Sequence, residues 1–382
     1  MTEQAPPLAE FALTPAGSAV EAAGLLPQSH AADDPKTSPH DHIVRRMPLI
    51  ILHVHSDCNC RCTMCDIWKT RDHREVPLER VCGWLPELQA LGVERVVLTG
   101  GEPLMHSRFP ELMRSLHESG LAITVLSTGL LVRRHAEALA RDCDELIVSL
   151  DGPAHLHNAI RNVPRAFERL AEGVRALRIR GGARPRITAR CTVQRANCAS
   201  LRATVDAARE LGLDGVSFLA VDVNSEAFAR SGPLPGDRAR ALLPGAEQLA
   251  CLDAEIRAIE EKCADAFASG YIAESPDKLR RRLLQYFRAA AGGIAYPRIS
   301  CNAPWVSAVV ETDGTVRPCF FHRAYGRIGA EAGTGLAAAL NAPAAVAWRA
   351  GLDVSSDSIC QRCVCNLVWK EPAAPGREYA LD

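Results

Sequence analysis

PLIILHVHSDCNCRCTMC, Pro48–Cys65, runs from an apolar stretch straight into four cysteines, Cys58, Cys60, Cys62 and Cys65. The first part, PLIILHVH (48–55), has the length and β-branched content of a buried strand, so the cysteines sit at a strand's C-terminal end. Five further strand patterns follow: VERVVLTG (93–100), LAITVLST (121–128), DELIVSLDG (144–152), PRITARCTV (185–193) and DGVSFLAV (214–221). Between them lie helical patterns such as RFPELMRSLHES, RAFERLAEGVRALRIR and SLRATVDAARELG. Such β-α repetition, with a period of about 30 residues, predicts parallel strands joined by right-handed crossovers. The expected fold is α/β, a partial (β/α)6 TIM-like barrel. In such folds chemistry gathers at the C-terminal strand ends, and the punctuated sequences fall there: SDCNCRC, TGGEP, STG and SLDGP after the first four strands.

Working outward, residues 1–46 are rich in Ala, Pro, Ser and Asp without periodicity and read as a tail. The barrel is expected over 47–222. A stretch containing SGPLPGD and two helical patterns, around 246–268 and 277–291, forms a helical insert over 223–294. CNAPWVSAVVETDGTVRPCFFH then signals a hairpin through ETDGT, and CQRCVC follows at 360–365. We expect a small cysteine-rich module of hairpin and helix over 295–372, and a tail over 373–382.

The 382 residues carry 44 Lys and Arg against 45 Asp and Glu, a formal net charge of −1. That balance gives no global attraction to nucleic acid or to an anionic membrane, and neither partner is expected. No apolar run approaches the ~20 residues that span a bilayer, and no Lys or Arg precedes Lys36 to start a signal peptide. The expected location is cytoplasmic. Fifteen cysteines in a long chain without an export signal point to reduced, metal-binding thiols rather than a disulfide framework. Cys82, Cys143, Cys198, Cys251 and Cys263 stand singly and read as small core residues.

Cys58, Cys62 and Cys65 have the spacing CxxxCxxC. Three thiolates can hold an iron–sulfur cubane and leave one iron open, as catalytic metal sites require. A closed four-thiolate site that also uses Cys60 is the alternative, although zinc ligands usually come as two pairs separated by a longer loop.

CxxxCxxC after the first strand and GGEP after the second together resemble the radical S-adenosylmethionine (radical SAM) superfamily, over residues 48 to about 221. The resemblance implies that Cys58, Cys62 and Cys65 bind a [4Fe–4S] cluster whose open iron chelates S-adenosylmethionine. Reductive cleavage then yields a 5′-deoxyadenosyl radical that abstracts hydrogen from substrate. It implies that Gly101 lies beside the methionine amine, with Gly100 letting the backbone approach closely and Glu102 supporting the loop. SLDGPAHLHNAIR resembles a pattern of family members with extra clusters. There Ser149 would contact the ribose or carboxylate, and the planar fork of Arg161 would pair with the carboxylate. Asp151 and His157 would hold that loop. Ser127 and Thr128 offer hydroxyls to the cofactor or cap their strand; Val193 packs on adenine or in the core. Asp66 stands where the family often has an aromatic, with Trp68 close behind, so the adenine-stacking residue is unassigned.

Cys301 and Cys319 give Cx12Gx4C around Gly314, and Cys360 and Cys363 form a CxxC. Two pairs of thiolates suit zinc and a fully ligated cluster equally. Beside a radical SAM core the set resembles the shortened SPASM domain, often called twitch. That resemblance implies one auxiliary [4Fe–4S] cluster, with Cys365 spare or replacing a neighbour. Relatives of this layout include sugar epimerases, an aminocyclitol dehydrogenase and peptide maturases, so substrate is less determined than cofactor. No stretch reads as a peptide-recognition domain, which favours a small polar substrate such as a sugar or aminocyclitol over a peptide. An electron donor such as flavodoxin or ferredoxin is the other expected partner. Asp222, Asn224 and Glu226 follow the sixth strand as candidate substrate contacts or as solvated loop polarity, and Cys191 is a core residue or, if it faces the barrel interior, a candidate hydrogen donor for an epimerase. A non-catalytic iron–sulfur or zinc protein is the reading from another class, and TGGEP and SLDG have no use in it.

Overall fold

A computed structural model describes residues 42–70, 73–329 and 335–369. The expected tails are covered only from His42 to Arg46; the rest of them, and residues 370–372 of the C-terminal module, lie outside the described residues.

Six parallel strands follow the expected patterns closely: β1 Leu49–His55, β2 Arg95–Gly100, β3 Ala122–Ser127, β4 Glu145–Ser149, β5 Arg186–Val193 and β6 Gly215–Ala220. They pair in sequence order. Helices α1 Leu78–Ala90, α2 Phe109–Glu118, α3 Ala136–Asp142, α4 Ala154–Arg161, α5 Ala166–Gly181 and α6 Leu201–Glu210 make the crossovers. The amphipathic period explains their placement: Phe109, Leu112, Met113 and Leu116 of α2, for example, fall on one face and are all buried. Strand residues such as Ile50, Leu52, Val96, Leu98, Ile123 and Val125 are almost completely buried, as expected for a parallel sheet covered by helices. The insert follows as α7 Gly236–Leu242 and α8 Ala246–Lys262. The second helical pattern of the insert is found over 276–290, with a π-helical stretch at Arg280–Gln285.

The hairpin of the cysteine-rich module joins the sheet of the barrel. β7 Ser307–Val310 pairs parallel with β1, and β8 Thr315–Arg317 and β9 Gly326–Arg327 add to it antiparallel. One nine-stranded sheet results, in the order β6-β5-β4-β3-β2-β1-β7-β8-β9. The reason is β1's second edge: its backbone groups need partners, and SAVV supplies a buried strand that satisfies them. At the far edge, a bridge from Val216 to Ile272 gives β6 a partial partner. The short helices of the C-terminal region are fastened to the barrel as well. Glu87 of α1 accepts hydrogen bonds from the amides of Leu336 (2.7 Å) and Ala337 (2.8 Å). Val44, expected in the tail, exchanges bonds with the Asn341 side chain, and Arg349 donates to the His42 carbonyl at 2.8 Å.

Candidate active site

The C-terminal ends of the parallel strands open into a cavity of about 510 Å³. Cys58, Cys62 and Cys65 line it; Cys60 does not, and its side chain is buried. The loop is pinned from several sides. The amides of Arg61 and Thr63 donate to the carbonyls of Arg161 (3.0 Å) and Ile160 (3.2 Å) at the end of α4. Trp68 Nε1 reaches the Cys62 carbonyl at 3.3 Å, and Arg230 Nη2 the Met64 carbonyl at 2.5 Å. Asp66, unhelpful for stacking, takes a fork of two 2.9 Å bonds from Arg238 of α7.

TGGEP fits against this loop backbone to backbone. The Gly101 amide donates to the His55 carbonyl at 2.8 Å and the Glu102 amide to the Asp57 carbonyl at 2.7 Å. A Cβ on Gly101 would stand 2.0 Å from the Asp57 carbonyl oxygen, and one on Gly100, whose φ is +126°, 2.3 Å from that of His55. Both glycines line the cavity, yet the space that a side chain would take belongs to the cysteine loop. Glu102 is fully buried: it accepts from the Leu104 amide (3.1 Å), Ser127 Oγ (2.9 Å) and the Thr128 amide (2.7 Å). Burial pushes its carboxyl up in pKa, and these donors oppose that. The Thr128 hydroxyl donates to Asn59 Oδ1 at 2.9 Å. Ser127 and Thr128 therefore spend their hydroxyls on tying β3 to the loops around the cavity they line.

Ser149 and Arg161 both line the cavity. Arg161 ends α4, where a cation meets the helix's negative pole. Its Nε holds Asp151 Oδ2 at 2.6 Å and its Nη1 lies 3.6 Å from Cys62 Sγ. Asp151 is fully buried and also accepts from the Thr192 amide at 3.1 Å; His157 Nδ1 accepts from the Asp151 amide at 3.3 Å. The SLDG segment is thus a buried ion pair aimed at the cysteine loop.

On β5 the core alternative holds for both Val193 and Cys191. Neither Val193 nor Cys191 lines the cavity; Val193 is fully buried and Cys191 nearly so, beside Asn197 Nδ2 at 3.6 Å. Successive side chains point to opposite faces, and it is Arg190 and Thr192 that face the cavity. After β6, Asp222 does line the cavity but is held by Arg230 (2.8 Å) and Ser225 (2.6 Å), and Glu226 by Arg323 (2.7 Å). Asn224 is not among the cavity-lining residues. Of the single cysteines, Cys251 is exposed and Cys82 only half-buried; Cys143, Cys198 and Cys263 are buried as expected.

The sequence reading missed His53, Arg190, Arg230 and Arg317 in the cavity wall. Arg190 had a signal, a charge inside the buried strand RITARCTV. Arg317 had none, because only the pairing of β7 with β1 brings it there; it holds Glu311 at 2.5 Å. His53 Nε2 is shielded from solvent without a hydrogen-bond partner among the described residues. Burial, then the charge of Arg317, lowers its pKa to about 4.

The thiols are chemically suited to an iron–sulfur group. None of the fifteen cysteines is in a disulfide. A hydrogen bond from Cys60 and the charge of Arg161 bring Cys62 down to about 6, against the effect of burial. Burial pushes Cys58 up and Cys65 to about 11, so their thiolates need a bound cation for compensation. At the C-terminal region Cys301, Cys319, Cys360 and Cys363 are all half-buried, and burial raises Cys319 to about 11 and raises Cys360 and Cys363 as well. Cys365 is exposed and faces the main cavity.

The model of the radical SAM superfamily matches residues 53–197, and that of the SPASM iron–sulfur cluster-binding domain matches 301–364. This chain carries a radical SAM domain followed by a SPASM-type iron–sulfur domain. Its cofactors are accordingly an iron–sulfur cluster, S-adenosylmethionine and an auxiliary cluster in the SPASM-type region. The AdoMet-dependent heme synthase of Methanosarcina barkeri is 30% identical over 43% of this chain and 48% of that protein. The PqqA peptide cyclase of Ruegeria pomeroyi is 28% identical over 64% of this chain and 60% of that one. The chain thus spans about half the length of the curated relatives it matches. Among solved structures, Streptococcus suis SuiB bound to S-adenosylmethionine superposes with a TM-score of 0.60 at 15% identity, covering 86% of this chain and 74% of that one. Native anSMEcpe with bound AdoMet and a peptide gives 0.55 at 16%, covering 84% and 89%. These two likenesses establish the fold. No helix among the described residues is long and apolar enough to cross a membrane.

Proposed function

We propose that this chain is an enzyme that uses S-adenosylmethionine for radical chemistry on a small polar molecule such as a sugar or an aminocyclitol. The observation that carries the reading is one cavity lined by three thiols of a single loop, by Ser149 and by Arg161, at the C-terminal ends of the strands. Cys58, Cys62 and Cys65 would hold the first cluster. The chemistry supplied there when the cofactors are bound is reductive cleavage to a 5′-deoxyadenosyl radical, which takes hydrogen from the substrate. The chain's own part is orientation and shielding. Arg161, fixed by Asp151, would pair its guanidinium with the carboxylate of S-adenosylmethionine, and Ser149 would offer a hydroxyl to the ribose or carboxylate. Gly100 and Gly101 keep the loop tight on β2. At about 510 Å³ the cavity is in the ~300–1,000 Å³ range of ligand pockets, and His53, Arg190 and Thr192 give it polar walls. Cys301, Cys319, Cys360 and Cys363 would hold the auxiliary cluster. A small flavodoxin or ferredoxin would supply electrons, in the cytoplasm, where fifteen reduced thiols persist.

A peptide substrate is the second reading. SuiB and anSMEcpe, which share the fold, have been solved with peptides bound, and one side chain of a peptide would also fit the cavity.

Replacing Cys58, Cys62 and Cys65 together by Ala should abolish 5′-deoxyadenosine formation by the anaerobically reconstituted, reduced protein. Cys60→Ala should keep most of it, since Cys60 lies off the cavity. Retained formation in the triple variant would sink the assignment, and no formation by the parent chain would leave the non-catalytic reading. Iron analysis should approach about eight per chain for two cubanes; about four with one zinc would refute the auxiliary cluster. Deuterium transfer from labelled candidates into 5′-deoxyadenosine separates small polar substrates from peptides.

A further inference from the structure

Away from the barrel mouth, His322, Asp357 and Cys360 bring ligand-type atoms within 4.8 Å of one another. His322 Nε2 lies 3.3 Å from Cys360 Sγ and 3.5 Å from Asp357 Oδ1. The ring is buried, edge-on to Trp348 with centroids 5.0 Å apart and planes at 71°. Its backbone is held too, since the His322 carbonyl accepts from Arg317 Nη1 at 3.2 Å. Asp357 is fixed as the cap of the short helix Ser358–Gln361, with Oδ1 accepting from the amides of Ile359 (2.9 Å) and Cys360 (2.8 Å).

The protonation pattern follows from the partners. A thiolate that binds iron and an ionised carboxylate can only accept hydrogen bonds. The ring nitrogen shared between them must therefore carry the hydrogen, and the shorter of its two contacts is to sulfur.

We propose that His322 is a positioning residue that donates its Nε2 hydrogen to the Cys360 thiolate and thereby raises the reduction potential of the auxiliary cluster, with the Asp357 carboxylate opposing it. This rests on the reading of Cys360 as a ligand of that cluster. A hydrogen bond to a ligand sulfur withdraws electron density and stabilises the more negative, reduced state, and a nearby anion does the reverse. The pair would set how readily the auxiliary cluster accepts an electron.

The test uses the full chain carrying Cys58→Ala, Cys62→Ala and Cys65→Ala, so that the auxiliary cluster is the one being read, without reference to S-adenosylmethionine cleavage. Its midpoint potential is followed by EPR during a redox titration. His322→Leu should move the potential negative. His322→Gln, which keeps an amide N–H, should fall between that variant and the parent. Asp357→Asn keeps a good helix cap and should move the potential positive, with iron per chain unchanged throughout. A potential that stays put in both His322→Leu and Asp357→Asn overturns the proposal. Loss of iron in His322→Leu with full iron in Asp357→Asn also overturns it, by making His322 a ligand itself. A parent triple variant without a cluster would refute the auxiliary-cluster reading, and the proposal with it; a cluster present but indifferent to both changes would refute the proposal alone.

Discussion

Asp151, His157 and Arg161 occupy one buried corner behind the cysteine loop, and each reached it through a different rule. Asp151 is tolerable at zero exposure because Arg161 and the Thr192 amide satisfy it. His157 packs edge-on to Phe167 with Nδ1 turned to the Asp151 amide. Burial depresses its pKa from 6.5 to about 4, with Asp151 and Glu168 pulling it up and Arg161 pushing it down. The sign follows from linkage. The neutral ring is favoured in the folded chain, so its contribution is complete above pH 6.5 and is lost as pH falls through about 4. At about 1.4 kcal/mol per pKa unit, the loss between pH 7 and pH 5 is on the order of 2 kcal/mol. His157→Gln, which retains an acceptor but does not titrate, should flatten that slope in urea unfolding of the reconstituted protein at the two pH values. An equal slope in both proteins would remove His157 as the cause. The sequence reading gave His157 a loop-holding part from its motif; its burial, which produces the pH dependence, is a tertiary fact.

At the scale of elements, the junction of β2 with the cysteine loop is where sequence and structure agree on the residues and differ on the reason. TGGEP reads as space for a ligand, yet the close approach is made by the backbone of Ser56 and Asp57. A methyl group at Gly101 would meet backbone atoms at 2.0 and 2.3 Å, which cannot rotate away as a flexible side chain can. Gly101→Ala should therefore lift the cysteine loop off β2 and lower iron to about half, leaving the auxiliary cluster in place. Parallel iron analysis and EPR check this; full iron with a normal signal at both sites would show that the loop tolerates displacement. Strand positions were legible because apolar runs and turn residues bound them. Which alternate residues of β5 face the cavity was not, because a parallel sheet is buried on both faces and the alternation carries no in/out label. That is why Cys191 and Val193 were left open between cavity and core, while Arg190 and Thr192 are found in the cavity wall.

For the whole molecule, the decisive feature is the one strand order that local patterns do not contain. Pairing of β7 with β1 depends on the free edge of a strand some 250 residues earlier, and no short-range signal encodes it. It has a mechanical consequence. β1 leads directly into Cys58, so the strand that delivers the cluster loop is flanked on one side by β2 and on the other by the C-terminal region. The same region gives the cavity Glu311, Arg317, Phe320 and Cys365, and its small core of Ala303, Leu367 and Trp369 packs on Leu49 of β1. A chain ended at residue 294 would uncover the Leu49–Leu52 edge of β1, and exposed strand edges recruit other chains. It would also leave Glu87 without the helix it caps. Such a truncation should be largely aggregated on expression, and any soluble fraction should show faster hydrogen exchange at the amides of β1 than at those of β3 and β4. A soluble 1–294 fragment with native protection throughout β1 that still binds a first cluster would show that the barrel stands alone, and that the C-terminal region is an appendage rather than the seventh strand of its sheet.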